Sequence, residues 1–310
     1  MEFFACLVGF VLLWILSRSI ISMASAKAKR QPGDLPPGPP PLPIVGNLFL
    51  LRKNAHTSLA RLAAVHGPIM TLKLGRVTTV VISSPDLARQ VFQHHDLALA
   101  GRTTHDAAHA LRFNELSIFW IPPTPLWRAY RRMCSTNLFT ARSLDATAGL
   151  RRRKVDELLE FFRTRGRAGE AVNVGEALMV TGLNLLSNTI LSLDLAELGS
   201  DRAAGFRELV GGMVEAVGSP NIANFFPCLG RLDLQGARRR CAMYLTKLFE
   251  IIDELVGQRL ASGEHKGDVL DKILEATGER TGEHLIQRCH IRRLLADLFL
   301  AGNGHHIRHG

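Results

Sequence analysis

Tyrosine and tryptophan are scarce, with two Tyr and three Trp in 310 residues. No stretch interleaves arginine with stacking aromatics, so the formal charge of +10 is not read as a nucleic-acid signature; an anionic membrane surface or an acidic partner fits it better. Cysteine is sparse too. Cys6, Cys134, Cys228, Cys241 and Cys289 are five, odd in number, widely spaced and without a Cys-x-x-Cys pair. That argues against a zinc site and a secreted disulfide framework and favours a reducing compartment. With 46% apolar residues the chain is not disordered, and 27 glycines are too few for a collagen repeat. No linker interrupts the later pattern, which favours one large helical domain over two.

One long apolar run is present. Residues 3–16 are fourteen positions without a charge, and apolar character resumes at Ile20, Ile21 and Met23. With the Arg18 guanidinium extended to the headgroups, the run reaches the roughly 20 residues that a bilayer crossing needs. Lys27, Lys29 and Arg30 follow it, while Glu2 precedes it. This asymmetry predicts a single membrane anchor over residues 1–26 with the body on the cytosolic side. Ala24-Ser25-Ala26 has the form of a signal-peptide cleavage site, but a signal peptide carries its positive charge before the apolar stretch.

Six of the fourteen prolines fall within residues 36–43. Such a run excludes helix and predicts an extended, semi-rigid segment, either a ligand for a proline-binding module or, given its place behind a basic-flanked anchor, a stiff spacer. A basic and proline-rich hinge is therefore expected over residues 27–47. Beyond it the periodicity predicts a short helix over 58–66, ended by Gly67-Pro68, and two strands, 69–74 and 78–83, around Gly75-Arg76. Ser84-Pro85-Asp86 predicts a helix start, with the helix running to about His95. Residues 101–125 have no steady period and contain Pro122, Pro123 and Pro125, which predicts a long irregular loop. Helices are predicted from Pro125 and over about 140–165, 174–193, 202–217, 235–262, 267–277 and 283–302. In the 235–262 helix Leu245, Leu248, Phe249, Ile252, Leu255, Val256 and Leu260 share the core face.

On the helix from Pro125, Trp127 and Arg131 lie four apart and share a face, presenting an indole N–H and a guanidinium together. Two such donors suit a carboxylate or phosphate. The plainer reading is a partly buried Trp beside a solvated Arg. The runs Arg151-Arg152-Arg153-Lys154 and Arg238-Arg239-Arg240 read first as solvated helix faces, and second as contacts for anionic lipid or an acidic electron donor. His305, His306 and His309 crowd the last six residues, where a tail of this kind more often binds nothing than metal.

The order of these features resembles one family. Anchor, proline-rich hinge ending in Pro43-Ile44-Val45-Gly46-Asn47, short helix, two-stranded sheet, long loop and Trp127-Arg128-x-x-Arg131-Arg132 are similar to a plant microsomal haem-thiolate monooxygenase of the cytochrome P450 superfamily. Phe225-Phe226-Pro227, the stretch from Leu232 to Arg240, and Leu295-Ala296-Asp297-Leu298-Phe299-Leu300-Ala301-Gly302 resemble the geraniol-hydroxylase branch. The resemblance implies a mainly α fold with a small β-sheet, the N-terminal part of that fold, behind a single transmembrane helix in the endoplasmic reticulum. It implies a haem cofactor, an NADPH-dependent reductase as partner and a small hydrophobic, terpenoid-like substrate hydroxylated with O2. Trp127 and Arg131 would donate to the haem propionates. Residues 102–123, with Leu116, Ile118, Phe119 and Trp120, would roof the substrate, and residues 218–227 would border its access channel.

The resemblance also marks a departure. Where the family has Ala-Gly-x-Asp/Glu-Thr-Thr/Ser, an acid and an alcohol that deliver protons to oxygen, this chain reads Ala301-Gly302-Asn303-Gly304-His305-His306. The family's Glu-x-x-Arg helix and its Phe-x-x-Gly-x-Arg-x-Cys-x-Gly loop, whose thiolate binds iron, belong after this point. Phe225-Phe226-Pro227-Cys228-Leu229-Gly230-Arg231 has Gly, Arg and Cys in the wrong order to replace that loop. The expectation is a monooxygenase domain portion over 48–302 and an aberrant tail over 303–310, from a shifted reading frame, a retained intron or a degraded gene. The truncated chain would be inactive, with no catalytic and no metal residue of its own. The alternative is a non-catalytic, membrane-anchored helical remnant or partner of an intact relative.

Overall fold

Helix starts follow from the side chains that cap them. Ser84 Oγ accepts from Leu87 N at 3.5 Å, and Thr124 Oγ1 accepts from Trp127 N at 3.3 Å, each followed by a proline whose missing N–H costs nothing in the first turn. Asn173 Oδ1 likewise accepts from Glu176 N at 3.1 Å. The computed structural model describes residues 35–51, 54–278 and 288–303. The anchor expected over 1–26 and the histidines of the tail lie outside the described residues. The chain divides into two compact units, residues 1–99 with 221–232, and residues 100–220 with 233–310.

In the first unit, α1 (Ala55–His66) leads into β1 (Ile69–Leu74), which pairs antiparallel with β2 (Val77–Ile82), Ile69 opposite Ile82 and Leu74 opposite Val77. Gly75 turns the hairpin at φ 60°, where a side chain is strained. Met70 and Leu72, alternate residues of β1, are fully buried, as the period of two demands. Next comes α2 (Pro85–His94). The proline-rich segment is not helical, but from Pro37 onward it does not stand off as a spacer. Thr71 N donates to Pro37 O at 2.9 Å, Lys73 N donates to Asn47 Oδ1 at 2.8 Å, and Asn47 Nδ2 donates to Pro39 O and Pro40 O at 3.3 and 3.2 Å. Proline cannot donate, so the segment docks on the outer edge of β1 through the Pro37 carbonyl and the Asn47 side chain, which also gathers the Pro39 and Pro40 carbonyls. Gly38 and Gly46 permit the approach, since a Cβ there would fall 1.9 Å from Thr71 O and 2.0 Å from Lys73 O.

The second unit is helical: α3 (Pro125–Asn137), α4 (Ala148–Arg167), α5 (Val174–Leu191), α6 (Asp201–Gly218), α7 (Ala237–Ser262), α8 (Val269–Gly278) and α9 (Arg288–Asn303). The single helix expected over 140–165 is instead a short helix, Ala141–Ala146, and α4, parted at Thr147. That hydroxyl donates to Leu144 O at 3.0 Å, a carbonyl that a continuous helix would pair with a backbone N–H, and accepts from Arg151 Nη1 at 2.6 Å. The loop expected over 101–125 contains a 3-10 segment, Asp106–Glu115, kinked where Leu111 and Arg112 take φ of 50° and 54°. Arg112 pairs there with Glu115 at 2.8 Å.

One core joins α3, α5, α6, α7, α8 and α9 with the loop. On α7 Leu245, Leu248, Phe249 and Ile252 are buried as predicted, but Leu260 is 41% exposed. At that end the buried face carries Arg259 instead, which bonds to Asp268, Asp271 and Leu191 O. Val174–Leu191 is long and apolar enough to cross a membrane, yet eight of its residues are buried, five of them in this core. The basic runs are not simply solvated faces. Lys154 is buried between Glu157 and Asp194 at 2.8 and 2.7 Å, and Arg238 pairs with Asp106, whereas Arg152, Arg153 and Arg239 are exposed.

Candidate functional site

Thr124 and Pro125 fix the start of α3, so Trp127 falls in its first turn and Arg131 one turn later. The structure brings the two together, with the guanidinium carbon 5.9 Å from the centroid of the Trp127 ring. Trp127 is half-buried against the core, and Arg131 is exposed. Tyr130, Met133 and Cys134 of the same helix are all buried. Among the described residues no carboxylate or carbonyl occupies Arg131, in contrast to Arg238 and Arg259, which are both committed to aspartates. An exposed guanidinium with free donors, laid over an indole that offers a further N–H, is chemically suited to receive an anionic group.

The loop before α3 is stitched into its unit at both ends. At its start His105 Nδ1–H donates to Val217 O at 3.0 Å, the His105 and Trp120 rings lie 5.5 Å apart, and Asp106 pairs with Arg238 of α7. At its far end Asp297 of α9, 1% exposed, accepts from Ser117 Oγ at 2.7 Å and from Ile118 N at 2.8 Å. Burial pushes the Asp297 carboxyl up to about 7, and these two hydrogen bonds oppose the rise only in part. Of the apolar residues expected to face a substrate, Ile118 and Trp120 pack in part against the core, and Phe119 lies under the Arg102 guanidinium at 5.9 Å. Phe113 and Ile121 are buried. Sequence reasoning missed Asp297 as a site residue; its partners are a serine and a backbone N–H far upstream, which no local pattern announces.

A haem group fits this donor set at one end. Arg131 and Trp127 are free to take its carboxylates, but the buried cysteines do not suit its iron. Burial raises the Cys134 thiol and pushes Cys241 up to about 12, holding both in the neutral form, while a metal ligand must be the thiolate. Cys228 is exposed, in the 3-10 segment Pro227–Leu232 of the first unit. Among the described residues no cluster of three His, Cys, Asp or Glu is placed to hold a metal ion.

The chain is 42% identical over 295 residues to a geraniol 8-hydroxylase of Catharanthus roseus, covering 94% of this chain and 59% of that protein. It is 41% identical over 304 residues to a geraniol 8-hydroxylase of Swertia mussotii, covering 97% and 60%. It is 44% identical over 273 residues to the cytochrome P450 monooxygenase 76AD131 of Lophophora williamsii, covering 86% and 54%. The chain thus spans somewhat over half the length of the curated relatives it matches. The family model for cytochrome P450 matches residues 36–304, taking in the docked proline segment, the hairpin, the stitched loop, α3 and α9. By that match, and by relatives more than 40% identical across most of its length, the chain belongs to the cytochrome P450 family.

Proposed function

We propose that the chain forms part of a membrane-bound haem-thiolate monooxygenase that hydroxylates a small apolar, terpenoid-like compound with O2, using NADPH electrons passed from a reductase. The observation that carries the reading is the Trp127–Arg131 pair, a donor set without a protein carboxylate on the helix that follows the stitched loop. Haem, when bound, supplies the oxygen-activating chemistry. The part of this chain is to hold it: Arg131 offers a bidentate fork and a charge opposite to that of a propionate, and the Trp127 N–H offers a second point of attachment. Ile118 and Trp120, with Phe113 and Ile121 behind them, make the loop an apolar wall that excludes water and favours an apolar substrate. Two relatives named geraniol 8-hydroxylase support a terpene alcohol as the substrate class. The apolar run of residues 3–23 and the basic Lys27, Lys29 and Arg30 support a single-pass anchor in the endoplasmic reticulum with the body in the cytosol.

The test is haem retention by the 310-residue chain and its R131Q and W127F variants, produced in membranes with haem supplied, with thermal unfolding recorded alongside. Several-fold lower retention in both variants at unchanged stability is expected. Retention equal to that of the parent chain, or no retention by the parent chain, would overturn the assignment of the pair. The carbon-monoxide difference spectrum of the same samples reports the iron ligand, and a thiolate-type band would assign that role to one of the five cysteines.

A further inference from the structure

The carboxylate of Asp297 has no part in the donor set above, yet it is among the most buried polar groups of the chain, 1% exposed. Among the described residues it has no ion-pair partner. The charged and titratable groups nearest it on α9 and α3 have other neighbours. Arg293, one turn earlier on α9, lays its guanidinium 6.0 Å from the Phe249 ring centroid and reaches Leu111 O at 3.4 Å. His290, two turns earlier, faces the Tyr130 ring, and the Cys134 thiol on α3 is neutral. Placing an acid there without a counter-charge is unfavourable, and a packed leucine would be cheaper for the core. What the acid gains is a hold on the loop.

That hold is extensive. Asp297 Oδ1 accepts from Ser117 Oγ and Oδ2 from Ile118 N. Ser117, itself fully buried, uses the same Oγ to accept from Phe119 N at 3.2 Å, and its carbonyl accepts from Trp120 N and Ile121 N, both at 3.1 Å. Five consecutive residues outside any strand or helix are thus tied, directly or through Ser117, to one side chain on α9. We propose that Asp297 is a positioning residue, a latch that fixes residues 117–121 against α9 and so sets the apolar wall that a substrate meets. The last clause rests on the monooxygenase reading; the latch itself does not.

Either protonation state can serve. Ionised, the carboxylate accepts both bonds; protonated, it donates to Ser117 Oγ and accepts from Ile118 N, and an asparagine can do the same. Asparagine should therefore preserve the latch, and alanine should remove it. The experiment is amide hydrogen exchange on the 310-residue chain, following the peptide over residues 113–121 in the parent, D297N, D297A and S117A, with α7 peptides as the control for global folding. Loss of the latch is expected to speed exchange at Ile118 and Phe119 about tenfold or more in D297A. S117A, which leaves the Ile118 bond in place, should be intermediate, and D297N should stay within about threefold of the parent. Asparagine exchanging as fast as alanine, or alanine as slow as the parent, would overturn the proposal. If D297A loses its α7 protection as well, the comparison of S117A with D297N decides: equal exchange in these two refutes the latch. No arm needs haem or substrate, so failure here is distinct from failure of the proposed function.

Discussion

Ser117 and Asp297 stand 180 positions apart in the chain, and their side chains meet at 2.7 Å in the interior. The bond fastens an aperiodic segment to the last described helix. Its electrostatic setting makes stability depend on pH in a direction opposite to the usual one for an aspartate.

The folded Asp297 titrates at about 7, raised chiefly by burial, while an aspartate in the unfolded chain titrates near 3.9. Between about pH 4 and pH 7 the folded state holds the extra proton. Its contribution to stability is therefore fully present below pH 4 and is lost as pH rises through 7. Integrated from pH 5 to pH 8, this amounts to about 3 kcal/mol. Urea unfolding at the two pH values should show that loss in the parent chain, beyond whatever loss D297N also shows. Parallel pH profiles for the two proteins would refute the assignment.

Arg259 is a second buried charge, and its pairing is complete. Its two terminal nitrogens bond to Asp268 and Asp271 at 2.7 to 3.1 Å and to Leu191 O at 2.8 Å. R259M nearly keeps the volume and removes the counter-charge of two buried carboxylates, which should cost about 3 to 5 kcal/mol. Denaturant melts will decide, and a loss below about 1 kcal/mol would mean that the aspartates find water instead.

Maleimide labelling followed by peptide mapping should separate the three described cysteines. Cys228 is exposed and should react first, while Cys134 and Cys241 are buried with raised thiol pKa values and should label only on unfolding. Early labelling of Cys241 in native conditions would contradict the packing of α7.

Gly46 sits at φ 62° with Lys73 O in the place of its missing Cβ. G46A should therefore release the proline segment from β1, at a cost of more than about 1 kcal/mol. Limited proteolysis should then cut within residues 35–51, where the parent chain resists. An unchanged cleavage pattern would mean that the segment docks without the bond between Asn47 and Lys73.

The features legible beforehand share a local cause. The hairpin at Gly75, the proline-led starts of α2 and α3, and the meeting of Trp127 with Arg131 depend on residues within a few positions of each other. The errors arose where a distant partner intervened. The proline run reads as a stiff spacer, but Pro37 and Asn47 bond to the open edge of β1. Leu260 was assigned to the core by period, but Arg259 took that face because Asp268 and Asp271 follow just after the helix. Lys154 belongs to a basic run that reads as a solvated face, but Glu157 and Asp194 hold it inward.

The sequence by itself determined the helical character of the chain, the place of its small sheet, the meeting of Trp127 with Arg131 on α3 and the family it resembles. All of these rest on backbone preference and on periods of two or 3.6 residues, which act over short range. Tertiary structure alone decided which charges are buried and what holds the aperiodic loop. Ser117 with Asp297, Asp106 with Arg238 and His105 with Val217 are pairings across 180, 132 and 112 positions, formed only when packing brings those segments within hydrogen-bond distance. A buried polar group must find a partner wherever the fold places one, and that requirement has no signature in the residues beside it.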